Sequence, residues 1–198
     1  MIIWRERLRR GCNLRFINER AKEVYRKQIE NKIDAPKLCV FISYRGCDKE
    51  IALKVADDIR NIGVDVYIDI CDKNLQVSSH NDDADSIVQY IETGLFYSSH
   101  ILVIVTDETQ QSWWVPYEVG YAKKSGKSIA SFILEKQEVR DFPDYLKIEE
   151  ILKTPEQYNC YITNLQKKVY EKSRYGGLFE NSNIDMQYSA SSYVKKII

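Results

Sequence analysis

The chain predicts an α/β domain in which a parallel sheet is covered by helices on both faces. Three observations carry that prediction. Short apolar runs of strand length alternate with helical periodicities along residues 37–170, the pattern of repeated βα units. The run Ile101-Leu102-Val103-Ile104-Val105 is continuously apolar, as a strand buried on both faces requires. Gly63 and Gly126 each close a helical pattern just before the next strand, where a helix end needs a left-handed residue.

The elements follow in order. Residues 4–31 carry Trp4, Leu8, Phe16, Ile17, Val24, Tyr25 and Ile29 among charged neighbours, which reads as one or two amphipathic helices, and Ala35-Pro36 ends that pattern. Residues 37–43 are a first strand, rich in β-formers. Asp48 opens a helix through Ile51, Val55, Ile59 and Ile62, and residues 64–69 form a second strand. The polar stretch 70–84 exceeds an ordinary connection and is therefore a candidate functional loop. A helix over 85–96 turns Ile87, Val88, Ile91 and Leu95 inward. Strand three is 101–105, followed by a helix from Pro116 to about Ser125, because proline fits the first turn, where its missing N–H is not needed. Residues 128–134 are a fourth strand. Residues 145–152 read as helical with a short fifth strand nearby, and a last helix over 154–170 buries Tyr158, Ile162, Leu165 and Val169. The stretch after Arg174 reads as an irregular tail.

Composition narrows the function classes. Formal net charge is zero over 198 residues, against the basic excess expected of a nucleic-acid binder, although basic residues crowd 1–37 and acidic ones 80–92. Five widely spaced cysteines without a C-x-x-C pair indicate neither a disulfide framework nor a zinc site, and Cys39 is expected in the core. No apolar run approaches 18 residues, and the charged start lacks the apolar segment of a secretion signal. A reduced cytoplasmic setting without membrane attachment is expected. Of the two histidines, His80 falls in the polar loop and His100 directly before a core strand, so His100 is expected to be a packed residue. No G-x-S-x-G elbow and no G-x-G-x-x-G fingerprint occurs. Ser125-Gly126-Lys127-Ser128 has Tyr121 where a P-loop needs its first glycine. A phosphoacceptor reading finds Asp107 after strand three but no paired acids after strand one.

What remains at the carboxyl ends of the strands is Ser43, Tyr44 and Arg45 after strand one, Asp69 after strand two, and Trp114 and Glu118 after strand three. Open parallel sheets bind ligands at that edge. An arginine there suits phosphate, a tryptophan gives a face on which a base can stack, and a carboxylate can stabilise positive charge at an anomeric carbon. Together they suit a nucleotide with phosphate, ribose and a cationic base. Each also has a plainer reading: Arg45 as a surface cation, Asp69 as a strand-end cap, Glu118 as a partner of the helix dipole.

Four segments in order, Cys-Val-Phe-Ile-Ser-Tyr-Arg at 39–45, Val-Asp-Val-Tyr-Ile-Asp at 64–69, Ser-His-Ile-Leu-Val-Ile-Val-Thr at 99–106 and Ser-Trp-Trp-Val-Pro-Tyr-Glu-Val at 112–119, resemble the boxes of a Toll/interleukin-1 receptor (TIR) domain. The resemblance spans roughly residues 37–170, and Trp114-Val115-Pro116-Tyr117-Glu118 is similar to the W-x-x-x-E of the NAD-cleaving branch. It implies a flavodoxin-like three-layer fold with a central five-stranded parallel sheet, spanning 37–172 between a basic helical extension over 1–36 and a tail over 173–198. It further implies an NAD+ glycohydrolase or ADP-ribosyl cyclase, with Glu118 as the catalytic carboxylate and Ser43, Tyr44, Arg45, Asp69 and Trp114 as substrate-binding residues. NAD+ would then be the substrate, with no metal and no separate cofactor. Self-association through TIR–TIR contacts is implied, and so is a separate effector reached through the nucleotide product, as in antiphage systems of the Thoeris kind. Residues 70–84 lack the glycine-containing Asp-x-Gly pattern usual in the family's assembly loop. A non-catalytic interaction module and a nucleoside deoxyribosyltransferase-like enzyme are the alternatives.

Overall fold

A computed structural model of the chain describes residues 38–71, 83–134, 142–147 and 149–175. The extension expected over 1–36, residues 72–82 of the 70–84 loop and the tail beyond Tyr175 lie outside the described residues.

The chain runs β1 (Cys39–Ser43), a 3-10 turn (Gly46–Asp48), α1 (Lys49–Asn61), β2 (Asp65–Tyr67), a 3-10 turn (Asp69–Cys71), α2 (Ala84–Tyr97) and β3 (His100–Val105). A third 3-10 turn (Asp107–Gln111) leads into α3 (Trp114–Lys124), followed by β4 (Ser128–Ile133), α4 (Asp144–Lys147), β5 (Glu150–Leu152) and α5 (Pro155–Tyr175). The five strands form one sheet in the order β2-β1-β3-β4-β5, and every pairing is parallel. This is the flavodoxin-like order, in which the chain winds outward from β1 on one side and then from β3 on the other. The reversal sets the carboxyl ends of β1 and β3 side by side, the place where such sheets form their ligand crevice, and the register pairs Ser43 with Val103.

Alternation along the strands sends successive side chains to opposite faces, and two cores result. Val40, Ile42, Leu102, Ile104 and Phe132 join Val55 and Ile59 of α1 and Tyr158 and Ile162 of α5. Phe41, Tyr67, Ile101, Val103 and Val105 join Leu95 of α2 and Val115 and Val119 of α3. In the second core α2 approaches the Tyr67 ring of β2 closely. Phe41 and Tyr67 stack at 5.3 Å and 10°, and a Cβ added at Gly94 would lie 2.3 Å from the Tyr67 ring. Glycine at 94 is thus what lets the helix reach the sheet.

The helix ends follow local chemistry. Asp83 caps α2 by accepting from the Ser86 N–H at 3.2 Å, and the Ser86 side chain, with that N–H adding, holds the Asp83 carboxyl below its usual range. Gly63 and Gly126 take φ of 82° and 66°, as expected of residues that end helices. Four sequence expectations shift. The second strand closes at Tyr67, and Asp69 opens a turn instead, its carboxylate accepting from the next backbone N–H at 2.5 Å. The helix expected from Pro116 starts at Trp114, which leaves Pro116 in the first turn, where a missing N–H is harmless. Residues 145–152 divide into the single turn α4 and strand β5, because Ile151 and Leu152 gain more by pairing with β4 than by extending a helix. The last helix continues to Tyr175, into the stretch read as tail.

Candidate functional site

The carboxyl end of β1 and the start of α3 meet at the crevice. Ser43, the last residue of β1, is 1% exposed, and Glu118, in the second turn of α3, is 6% exposed. Ser43 Oγ donates to Glu118 Oε2 at 2.5 Å. The local sequence dictates this meeting. Ser43 lies two residues beyond Phe41 and so shares its face of the sheet, the face α3 covers. Val115, Val119 and Ala122 hold α3 down on that face, and Glu118, flanking Val119, is carried inward with them. Ser112 Oγ accepts from the Val115 N–H at 3.2 Å, which fixes the helix start.

Burial makes the carboxyl costly to ionise. Glu118 is pushed up to about 8 from an ordinary 4.5, chiefly by desolvation, with the negative charge of Asp69 adding to the shift and the Ser43 bond opposing it. At neutral pH most of the Glu118 population therefore carries a proton. Buried groups with shifted titration and a named charge partner concentrate at functional sites.

The other residues expected at the site divide. Asp69, in the turn after β2, is half-buried and near enough for its charge to reach Glu118. Trp114 is 38% exposed, and its ring meets Tyr117 edge-on at 6.1 Å. It is thus a partly open aromatic face one helical turn before Glu118 on α3. Tyr117 is itself fixed by donating its hydroxyl to Glu92 of α2, and that bond pushes the phenol up to about 12. Tyr44 goes elsewhere: it packs against the core of the opposite face, with α1 and α5, because the pleat turns each successive residue over. Arg45 stays at the crevice but is occupied. It donates to the Glu108 carboxylate, to the Glu108 carbonyl at 3.1 Å and to the Gln111 side chain at 3.3 Å.

The fold also brings to this edge Glu108, Asp48 and Thr106, none of which the sequence assigned to the site. Thr106 Oγ1 donates to Asp48 Oδ2 at 2.9 Å, and Thr106 and Thr109 form a reciprocal capping box around the turn. With the Arg45 contacts, this ties the loop after β1 to the loop after β3 across the crevice. Thr106 was readable as a helix-start residue type, but Thr109 stands where a capping box ordinarily has Glu or Gln. The Arg45–Glu108 pair, 63 residues apart in sequence, had no local signal. Trp113, 91% exposed beside the site, was readable only as part of its box.

Among the described residues no group of histidine, cysteine, aspartate or glutamate could hold a metal ion, and no helix is long and apolar enough to cross a membrane. The strand-leading His100 is buried, 7% exposed, as its position implied, and Cys39 lies in the core.

No curated protein matches the chain in sequence. Among solved structures, similar ones include the TIR domain of the Toll-related receptor TRR-2 from Hydra magnipapillata, with 13% identity over 68% of this chain and 97% of that one and a TM-score of 0.49. The SEFIR domain of interleukin-17 receptor B is 12% identical over 68% of this chain and 98% of that one, with a TM-score of 0.49. A diflavin flavoprotein from Nostoc sp. is 10% identical over 72% and 99%, with a TM-score of 0.42. The family profile described as TIR domain matches residues 40–156, more than half of the sequence and the whole stretch from β1 to the start of α5. The chain belongs to the TIR domain family.

Proposed function

We propose that this TIR domain cleaves the bond between nicotinamide and ribose in NAD+, with Glu118 as the essential carboxylate. One observation carries the reading: a buried carboxyl, held by a serine hydroxyl, stands at the sheet's switch point, where open α/β sheets receive nucleotides. Nicotinamide departs as a neutral base and needs no proton, so the useful form of Glu118 is the ionised one. As the C–N bond lengthens, positive charge grows on the ribose ring, and a carboxylate in a water-poor setting lowers the energy of that state. The cationic substrate would itself draw Glu118 toward ionisation, since an opposite charge nearby favours the charged form. Water, or another nucleophilic atom of the same ADP-ribose, then captures the ribosyl centre and gives free or cyclic ADP-ribose. A cyclic product would suit a signal passed to a separate effector in antiphage defence. Trp114 offers a face for the base, Asp69 a partner for ribose hydroxyls, and Arg45 a bidentate group for phosphate once it leaves Glu108.

The near-complete cover over Glu118 favours a second reading, in which the carboxyl serves only as a structural partner of Ser43 and the domain assembles without catalysis. Incubating the full chain with NAD+ over a rising range of protein concentration, and separating nicotinamide, ADP-ribose and its cyclic isomers by mass spectrometry, decides between them. The proposal expects nicotinamide release with a matching ADP-ribosyl product. Intact NAD+ at every concentration, with self-association demonstrated in the same samples, leaves the scaffold reading standing.

A further inference from the structure

A second cleft lies at the opposite, amino-terminal edge of the sheet, between the starts of β3, β4 and β5 and the middle of α5. It encloses about 360 Å³, within the range of small-molecule sites. Its inner wall includes His100 and Tyr161, 7% and 5% exposed, and its rim includes Lys167, Lys168, Glu150 and Glu171.

The wall is built rather than incidental. Ser99 Oγ donates to the Cys39 carbonyl at 3.1 Å and accepts from the Cys39 N–H at 3.1 Å. The same oxygen lies 2.9 Å from His100 Nδ1, and His100 Nε2 lies 3.1 Å from Lys168 Nζ. One arrangement satisfies every member: Nδ1–H donates to Ser99, and the Nε2 lone pair accepts from the lysine ammonium. A neutral histidine anchored to the first strand thus positions a cation at the cleft and leaves that ammonium two further donors. The Tyr161 hydroxyl, buried within that wall, has no hydrogen-bond partner among the described residues, and buried polar groups are ordinarily paired. Burial, with the Glu150 charge adding, keeps that hydroxyl protonated and so a donor. Among the described residues, neither lysine is ion-paired with either carboxylate. Two cations and two carboxylates therefore border one cleft without neutralising each other by contact. A polyanion gains little from such a rim, and a single cation equally little. A ligand carrying both signs matches it.

We propose that this cleft binds a small zwitterion of the amino-acid class, its carboxylate held by Lys168 with Tyr161 and its ammonium by Glu171 with Glu150. The site is independent of Glu118, which stands at the other edge of the sheet, so the presence or absence of NAD+ cleavage does not report on it. The test titrates the full chain with each common L-amino acid up to about 10 mM, the range of weak metabolite affinities, and follows backbone amide resonances of His100, Tyr161 and Lys168. Acetate and methylammonium serve as half-ligands. The proposal expects at least one amino acid to move these resonances saturably, with either half-ligand binding at least about tenfold more weakly. It also expects Lys168→Met and Glu171→Gln each to weaken that binding about tenfold, and Tyr161→Phe to weaken it less. Glu171→Gln alters only an exposed rim residue, so it reads the charge contribution even if Lys168→Met disturbs the wall. The proposal is overturned if no amino acid moves the resonances, if acetate alone binds as well, or if both charge variants bind like the parent.

Discussion

Replacing Glu118 by glutamine should make the protein more stable, and increasingly so as pH rises. The reason lies in the gap between about 8 in the folded chain and an ordinary 4.5. Between those values the folded state keeps a proton that the unfolded state has released. For an acid with a raised folded pKa, stability is therefore greatest below 4.5, falls as pH rises, and levels off above about 8. The slope for one such group is about 1.4 kcal/mol per pH unit, with a ceiling of roughly 5 kcal/mol for the whole interval. Glutamine does not titrate, fills nearly the same volume, and its carbonyl can still accept from Ser43 Oγ. The stability difference between Glu118→Gln and the parent should then grow by about 3–4 kcal/mol from pH 5 to pH 8. Urea denaturation of both proteins at pH 5, 6, 7 and 8 measures it, since titrating groups not coupled to Glu118 cancel in the difference. A difference that stays constant within about 0.5 kcal/mol would mean that Glu118 titrates alike in the folded and unfolded states.

Three further outcomes follow from the same geometry. Ser43→Ala removes the one bond that lowers the Glu118 pKa, so the pH profile of nicotinamide release should move to the alkaline side and the rate at pH 7 should fall, about tenfold for each unit moved; an unmoved profile would show that the bond does not reach the chemistry. Gly94→Ala drives a methyl to 2.3 Å from a Tyr67 ring that is fully buried and stacked on Phe41. Overpacking of about 1–3 kcal/mol should outweigh the helix-propensity gain of up to about 1 kcal/mol, so the thermal midpoint should drop, and a rise would contradict the packing described. Glu108→Gln weakens the hold on the Arg45 guanidinium, and the KM for NAD+ should fall about two- to fivefold, in line with a partly exposed ion pair, with kcat little changed.

The sequence made most of the fold readable because periodicity reports burial. Ile101 to Val105 announced a central strand, and β3 does lie in the middle of the sheet. Gly126 announced a helix end and takes a positive φ. Short edge elements were harder. Glu150–Leu152 carries three residues of signal, and its strand character comes from pairing with β4, which no local window contains. The candidate site was half legible. Ser43 and Glu118 could be placed at one edge from strand ends alone, since the topology of parallel sheets brings those ends together. The face each residue takes was legible for Ser43 through its alternation with Phe41, and the same alternation sends Tyr44 to the far core. Arg45 was placed at the correct edge, but its engagement by Glu108 and Gln111 depends on the turn Asp107–Gln111, a contact across the sheet that one sequence does not reveal. The raised titration of Glu118 was likewise beyond sequence reasoning, because desolvation depends on the whole of the surrounding packing.

The central claim, that Glu118 stabilises a ribosyl cation, is tested most directly by the rate of nicotinamide release from NAD+ by the parent protein and by Glu118→Gln, at matched concentration and state of assembly. Release by the parent should rise with pH as Glu118 ionises, and the variant should lose about a hundredfold or more, the scale of removing one preorganised electrostatic group. A variant that releases nicotinamide as fast as the parent, with the same pH profile, would contradict the claim.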